Sequence, residues 1–481
     1  YWNIHSTATM PEVEVQTPAD QYDELWWGTS YTDGLKKILV AGSNTFATRM
    51  VTAGARSIVA VDTLETGTNY PGETNPSITV SPNEVTKLRL LVPGQATVIA
   101  GEPPNPDDGF QDGKNSTTPS PRTAGTAFTV TVQAVDDYWN LNTAAESRMV
   151  RVITTDPYDE LWGFEPAAQQ LLPGQGFRTF SMRMVTENTS PGWELIAQDA
   201  SEEEVKWSSQ TVTGVVLNSA TESRLQILMH PDETPIPGHP TGKTVISSPK
   251  TAGDYLTVKV RLTDAYWNKK LVDDTTVQLT LSDYYGSVDG QSPSEIQKQL
   301  GAGYPSGETE FTTRLFTATT HWLKVDSVAG TVYTSTRTTT ITLLTRPHGA
   351  GAQHRLLVVN PGEEHKAGNC LDSPQGATPY GKTGTPSQRT AGVPFTVTVY
   401  ATDMYYNKIT TSAVVSPDTT NSNDAYAAFT PATRDLVDVT TFSVTLKRSQ
   451  YTFIKAGDTS ATSLIDYTLS LIHISEPTRP Y

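Results

Sequence analysis

Thr123-Ala124-Gly125-Thr126-Ala127-Phe128-Thr129-Val130-Thr131-Val132 returns as Thr251-Ala252-Gly253-Asp254-Tyr255-Leu256-Thr257-Val258-Lys259-Val260. It returns again as Thr390-Ala391-Gly392-Val393-Pro394-Phe395-Thr396-Val397-Thr398-Val399, at spacings of 128 and 139 residues. Self-similarity on such a beat marks a repeat architecture. Within each copy apolar residues alternate with Thr or Lys, the period of a strand with one buried face. Thr suits the outer face, because its branched Cβ favours extended backbone while its hydroxyl stays in water. Each copy runs on to an Asp, an aromatic pair and an Asn: Asp136…Tyr138-Trp139-Asn140, Asp264…Tyr266-Trp267-Asn268 and Asp403…Tyr405-Tyr406-Asn407. Tyr1-Trp2-Asn3 is the same corner of an earlier copy, 137 residues before Tyr138.

Two further strand patterns keep this beat. Leu88-Arg89-Leu90-Leu91, Arg224-Leu225-Gln226-Ile227-Leu228 and Arg355-Leu356-Leu357-Val358-Val359 precede the Thr-Ala-Gly strand. Phe46–Met50, Phe180–Met184, Phe311–Leu315 and Phe442–Leu446 follow it, each with apolar ends that can share one sheet face. The expected fold class is all-β: tandem immunoglobulin-like antiparallel β-sandwich domains strung end to end, with about seven strands each. Residues 1–87 form the C-terminal part of a truncated repeat, 88–222 and 223–353 are whole repeats, and 354–468 is a repeat lacking its last strand. The excess over the usual ~100 residues of such a domain sits mainly between the first two strands. There Pro93 to Arg122 reads as a long surface loop rich in Pro, Gly and Asp. Pro293–Leu300 is the one segment expected to form a short helix.

The pattern T-A-G-x-x-[FL]-T-V-x-V followed by D-x-Y-[WY]-N resembles the tandem immunoglobulin-like repeats of bacterial surface proteins of the invasin and intimin type. It is also similar to filamin repeats. The resemblance spans nearly all of residues 1–468 and implies a fold and a display or scaffold role, with no catalytic residues to carry over. This chain has Trp or Tyr where those families often have Gly, and its first loop is longer.

The 481 residues carry 51 Asp+Glu against 35 Lys+Arg, a net charge of −16. With no basic stripe, this excludes a nucleic-acid binder that neutralises phosphates. No apolar run approaches the ~20 residues that cross a bilayer, so no membrane insertion is expected of this stretch. A single cysteine, Cys370, excludes a disulfide framework and a cysteine-ligated metal within the chain. Thr is more than twice as frequent as the 34 Gly, and with 32 Pro this favours short strands and turns. The two ends read as truncations. Leu469–Arg479 looks like the translation of a transposon-end sequencing adapter, so 469–481 is taken as a non-native adapter-derived scar. Its alternation would let it fill the missing last-strand slot.

Four features invite a chemical reading. The corners Asp136, Asp137, Asn140, Asp264, Asn268, Asp403 and Asn407 offer hard oxygen ligands for calcium, with Asp156 and Asp159 able to complete a shell. The alternative, favoured by the lack of dense D-x-D spacing, is that Asp caps its own loop and Asn takes a left-handed turn. Trp26, Trp27 and Trp162 follow Tyr-Asp-Glu-Leu runs and can stack on a sugar, or else plug the end of the sandwich against the corner. Gly238-His239-Pro240-Thr241-Gly242-Lys243-Thr244 hints at a phosphate loop. It has one residue too few and a Pro where N–H groups must point, and Gly113-Lys114 and Gly381-Lys382 repeat it, so it reads as a turn. His348, His354 and His365 gather before the last repeat as a solvated linker, and Cys370 has no neighbour that would make a thiolate.

No nucleophile, acid–base pair or cofactor loop emerges, so the chain is not expected to be an enzyme or to need a cofactor, calcium at the corners being the one candidate. The expected function is a non-enzymatic repeat region of a large exported cell-surface protein, a stalk or adhesion module located on the cell surface or outside the cell. Its partners are other repeats of the same chain and a cell-surface glycan or protein. The alternatives are the accessory arm of a secreted polysaccharide-acting enzyme and an intracellular filamin-like scaffold.

Overall fold

A computed structural model describes residues 4, 10–20, 22–23, 35–63, 70–95, 100–101, 113–114, 118–202, 204–349, 353–419, 424–460, 464–466 and 470–476. The chain divides into two compact units, Tyr1–Ala220 with Pro237–Pro240, and Thr221–Ile236 with Thr241–Tyr481.

The first unit opens with a sheet in which Glu12–Gln16 lies between Leu35–Ile38 and Val59–Asp62, with Glu73–Thr74 at the edge. A ribbon of Gly54–Arg56 and Ile78–Val80 follows. Next comes a sandwich. One sheet orders Phe177–Met182, Phe128–Val135 and Lys87–Leu91. The other orders Gln169–Gln170, Met149–Thr154, Asn188–Asp199, Gln210–Asn218 and Arg122–Thr123. Register follows the alternation: Phe180 pairs with Val130 and Met182 with Phe128, and all four are buried. Each such large apolar side chain contributes about 1.5–3 kcal/mol on burial. The named strands of this sandwich pair antiparallel except where Leu217 and Asn218 run parallel to Arg122 and Thr123, and a single parallel bridge joins Lys87 to Ser208.

The second unit repeats this plan. Glu222–His230, Tyr255–Asp264, Glu308–Arg314 and Ser287–Val288 form one sheet. Facing strands include Thr275–Leu281, Leu323–Gly330 and Ile341–Leu344, the last running parallel to Lys250–Thr251. Farther along, Arg355–Val359, Phe395–Thr402 and Val439–Thr445 pair in the same order, and Ala413–Asp418 pairs with Tyr451–Asp458. The chain is all-β, built of antiparallel immunoglobulin-like sandwich repeats in tandem.

Ser470–Ser475 occupies the last-strand slot, antiparallel to Tyr451–Asp458 and parallel to Arg389–Thr390, with Ile472 and Ile474 buried. Two expectations need correction. The helix expected at Pro293–Leu300 is a single 3-10 turn, Pro293–Glu295, after which Gln297–Gln299 pairs with Thr275–Leu281. Pro starts the turn, and the sheet edge then captures the following backbone. Phe46–Met50 forms no strand. Its equivalent Phe177–Met182 is held by Phe128–Val135, and no such partner exists for it among the described residues.

Candidate functional site: the repeat corners

At the end of Phe128–Val135 the chain turns back on Asp136. Its Oδ1 accepts the Tyr138 and Asn140 N–H groups, both at 2.9 Å, and its Oδ2 accepts the Asn140 side-chain amide at 2.9 Å. Asp264 holds Tyr266 and Asn268 at 2.8 and 3.0 Å, and Asp403 holds Tyr405 and Asn407, both at 2.9 Å. All three aspartates are buried. Burial raises the Asp403 carboxyl above the usual range, opposed by the Asn407 amide and the backbone donors of Arg346, Asn407 and Tyr405. The groups around these oxygens are N–H donors, a shell suited to an anion. Asp137 instead accepts the Thr86 hydroxyl at 2.6 Å. Among the described residues no group of three or more His, Cys, Asp or Glu is arranged to hold a metal ion.

The left-handed position of the corner belongs to the second aromatic rather than to Asn. φ is +62° at Trp139, +68° at Trp267 and +64° at Tyr406. For residues with a Cβ this costs about 1–2 kcal/mol. The Asn does a different job. Asn140 donates to the Val51 carbonyl and accepts from the Ala53 N–H, both at 2.8 Å, reaching the end of the preceding repeat. In the second unit Asn407 donates to the Phe316 carbonyl at 2.9 Å and accepts from the Ala318 N–H at 2.7 Å. The aspartates also catch the connecting chain: Asn83 N–H donates to Asp136 at 2.9 Å and Arg346 N–H to Asp403 at 2.7 Å.

The surfaces that receive Asn140 and Asn407 are each built by an aspartate, and the same clamp recurs in the other repeats. Asp20 accepts Val51 N–H at 2.7 Å, and Thr52 N–H and hydroxyl at 3.0 and 2.7 Å. Asp156 does the same for Val185 and Thr186, and Asp283 for Phe316 and Thr317. Asp424 accepts Lys447 and Arg448 N–H at 2.8 and 3.1 Å. Sequence reasoning missed this clamp, although its signal was present: Asp20, Asp156, Asp283 and Asp424 each stand two residues before a Tyr, at spacings of 136, 127 and 141 residues. Gly368 sits on the clamp with φ +80°, and a Cβ there would lie 2.4 Å from the Thr317 hydroxyl.

The Gly-Lys turn has a structural role beyond the expected surface loop. A Cβ on Gly242 would lie 2.4 Å from the Trp267 ring, and one on Gly113 or Gly381 would lie 2.6 Å from Trp139 or 2.3 Å from Tyr406. The lysine that follows points inward. Lys114 donates to the Leu90 carbonyl at 2.9 Å and to Gln95 at 3.2 Å. Lys243 pairs with Glu233 at 3.1 Å and Lys382 with Glu363 at 2.9 Å. Burial pulls both of those ammonium groups below the usual lysine range, opposed by their glutamates. The long first loop is thus tied into the core by a buried cation, because desolvated charges persist only when paired.

Trp26 and Trp27 lie outside the described residues, as do Tyr1, Trp2 and Asn3. Trp162 is half-buried in the 3-10 turn Glu160–Trp162; its indole donates to the Gly238 carbonyl at 2.7 Å, and its ring stacks 6.3 Å from Phe164. Asp159 caps that turn and accepts the Thr154 hydroxyl at 2.6 Å. His348 and His354 meet edge to face at 5.3 Å, while His365 is stacked on Tyr400 at 4.9 Å. Burial pushes the Cys370 thiol up to about 12.

No protein-family model matches this chain, and no curated protein sequence matches it. Among solved structures it is similar to the FdeC adhesin of Escherichia coli: 12% identity and a TM-score of 0.24, over 83% of this chain and 100% of that one. It is similar to invasin, a bacterial integrin-binding protein, at 13% identity and a TM-score of 0.23, over 81% and 60% of the two chains. It is also similar to a β-glucuronidase of Parabacteroides merdae at 14% identity and a TM-score of 0.17, over 46% of this chain and 23% of that one. All three scores are low, and the fold stands on the sheets described above.

Proposed function

We propose that this chain is a non-enzymatic repeat region of a large exported cell-surface protein, acting as a stalk and adhesion module. The observation that carries this reading is the corner joint. A buried Asp-Asn pair in one repeat grips the backbone of the repeat before it, at Val51 and Ala53 and again at Phe316 and Ala318. Repeats joined through directional hydrogen bonds hold a fixed register to one another, which is what a spacer needs. Stable modules in series set a reach, and a surface presented several times gains avidity. In this reading 87, 222 and 353 are the repeat boundaries, and the corners work without calcium. Antibody against the chain should label intact cells expressing the parent gene; labelling only after permeabilisation would overturn the surface assignment.

A further inference from the structure

The repeat of residues 354–468 carries a groove of about 760 Å³ between the loop Asn360–His365 and the outward side of Phe395–Thr402. Its charges are unequal. Glu363 is taken by Lys382 at 2.9 Å and Glu364 by Lys366 at 3.4 Å. Lys408 and Arg389 also line it, yet neither is ion-paired among the described residues; each lies over a ring, at 4.7 Å from Tyr400 and 5.9 Å from Phe395. On a chain of net charge −16, this groove brings together two cations that no carboxylate neutralises among the described residues.

The two whole repeats lack the pair of cations: Arg122 lies over Phe128 at 5.8 Å much as Arg389 lies over Phe395, whereas Lys250, at the same position of the next repeat, pairs with Asp232 at 2.6 Å. The residue after the corner Asn bridges back to the strand in all three: Leu141 to Val135, Lys269 to Thr263 and Lys408 to Thr402. Leu141 has no charge, and Lys269 is neutralised by Glu308 at 3.0 Å. The groove also offers neutral hydrogen-bonding groups. His365 Nε2 donates to the Tyr406 carbonyl at 2.7 Å, which leaves Nδ1 as the acceptor of the neutral ring. Burial, aided by Lys408 and Lys366, holds its pKa below the usual histidine value despite the bond to Tyr406. Thr396 and Thr398 line the same groove with hydroxyls.

We propose that this groove binds an acidic oligosaccharide, its carboxylates meeting Lys408 and Arg389 and its hydroxyls meeting His365 and Thr398. The volume lies within the ~300–1,000 Å³ range of small-molecule sites, and the mixture of unpaired cations with neutral acceptors and hydroxyls fits a uronic acid sugar. This assignment stands apart from the stalk reading, since the groove lies within one repeat.

The test is calorimetric titration of the full chain with trigalacturonate at low and physiological salt, with maltotriose and a short poly-glutamate peptide in parallel. Trigalacturonate should bind, weakening with salt, with maltotriose and the peptide at least tenfold weaker. Lys408→Gln and Arg389→Gln should each weaken binding about tenfold, the size of one lost charge-assisted hydrogen bond. Lys269→Gln, in the neighbouring repeat, should leave it unchanged. No binding of trigalacturonate at millimolar concentration would overturn the proposal, as would equal binding of maltotriose or of the peptide. Indifference to both groove substitutions, with unchanged melting, would also overturn it.

Discussion

Asn140 and Asn407 make the same two bonds to the backbone of a preceding repeat, but what surrounds them differs. Around Asn140 the connecting chain adds polar contacts: Asn83 and Thr86 bond to Asp136 and Asp137. Around Asn407 the joint is also packed. Tyr405 is buried, with its ring 5.2 Å from Phe316 and its hydroxyl bonded to Arg314 at 3.1 Å. Arg314 pairs with Asp372 at 3.1 Å, and Arg346 pairs with Asp254. Cys370, Tyr405 and Tyr406 belong to the same buried cluster as Phe311 and Phe316 of the preceding repeat. One motif therefore sets register at both joints, while apolar packing determines how far the two sides share stability.

The comparison can be broken in graded ways. Asp403→Ala has the largest expected effect. It strands the N–H groups of Tyr405, Asn407 and Arg346, and should lower stability by about 4 kcal/mol, read from the urea midpoint at constant m. Next, Asn140→Ala and Asn407→Ala should each cost about 2 kcal/mol. They should differ in cooperativity: calorimetry should split the first unit's melt for Asn140→Ala and keep one transition in the second unit for Asn407→Ala. Two transitions in both would show that packing around Tyr405 couples nothing. Tyr405→Phe removes only the bond to Arg314 and should cost about 1 kcal/mol.

A smaller effect concerns pH. Burial, with Lys408 and Lys366, depresses His365 in the folded state while the Tyr406 carbonyl opposes it. The unfolded chain therefore binds the proton more readily, and stability present at neutral pH should fall as pH drops below about 6.5. His365→Gln should flatten that slope in melts taken between neutral and acid pH. The smallest expected effect is that of a chelator: EDTA should leave the melting temperature unchanged, because N–H donors already surround the corner carboxylates.

The strands and their beat were legible because alternation and repetition reside in side chains that the sequence prints. The corner was legible as a motif but only half as a mechanism. Its Asp was read as a cap, whereas the left-handed position was given to Asn when Trp139, Trp267 and Tyr406 hold it. What Asn140 grips is main chain, the Val51 carbonyl and the Ala53 N–H, and backbone groups leave no mark on residue type. The buried Lys243–Glu233 and Lys382–Glu363 pairs hid for a related reason. A lysine in a Gly- and Pro-rich loop looks solvated until the fold closes over it. Pro293–Leu300 failed by length, since local preference made one turn and the sheet edge took the rest.

Amide hydrogen exchange at Ala53 and Ala318 tests the corner joint most directly, because each donates to an Asn side chain of the following repeat. Both amides should be protected in the native chain and lose about tenfold or more of that protection in Asn140→Ala and Asn407→Ala respectively, while the strand amides of Phe128–Val135 and Phe395–Thr402 exchange as before. Unchanged protection at Ala53 and Ala318 in those variants would contradict a joint held by the corner asparagines.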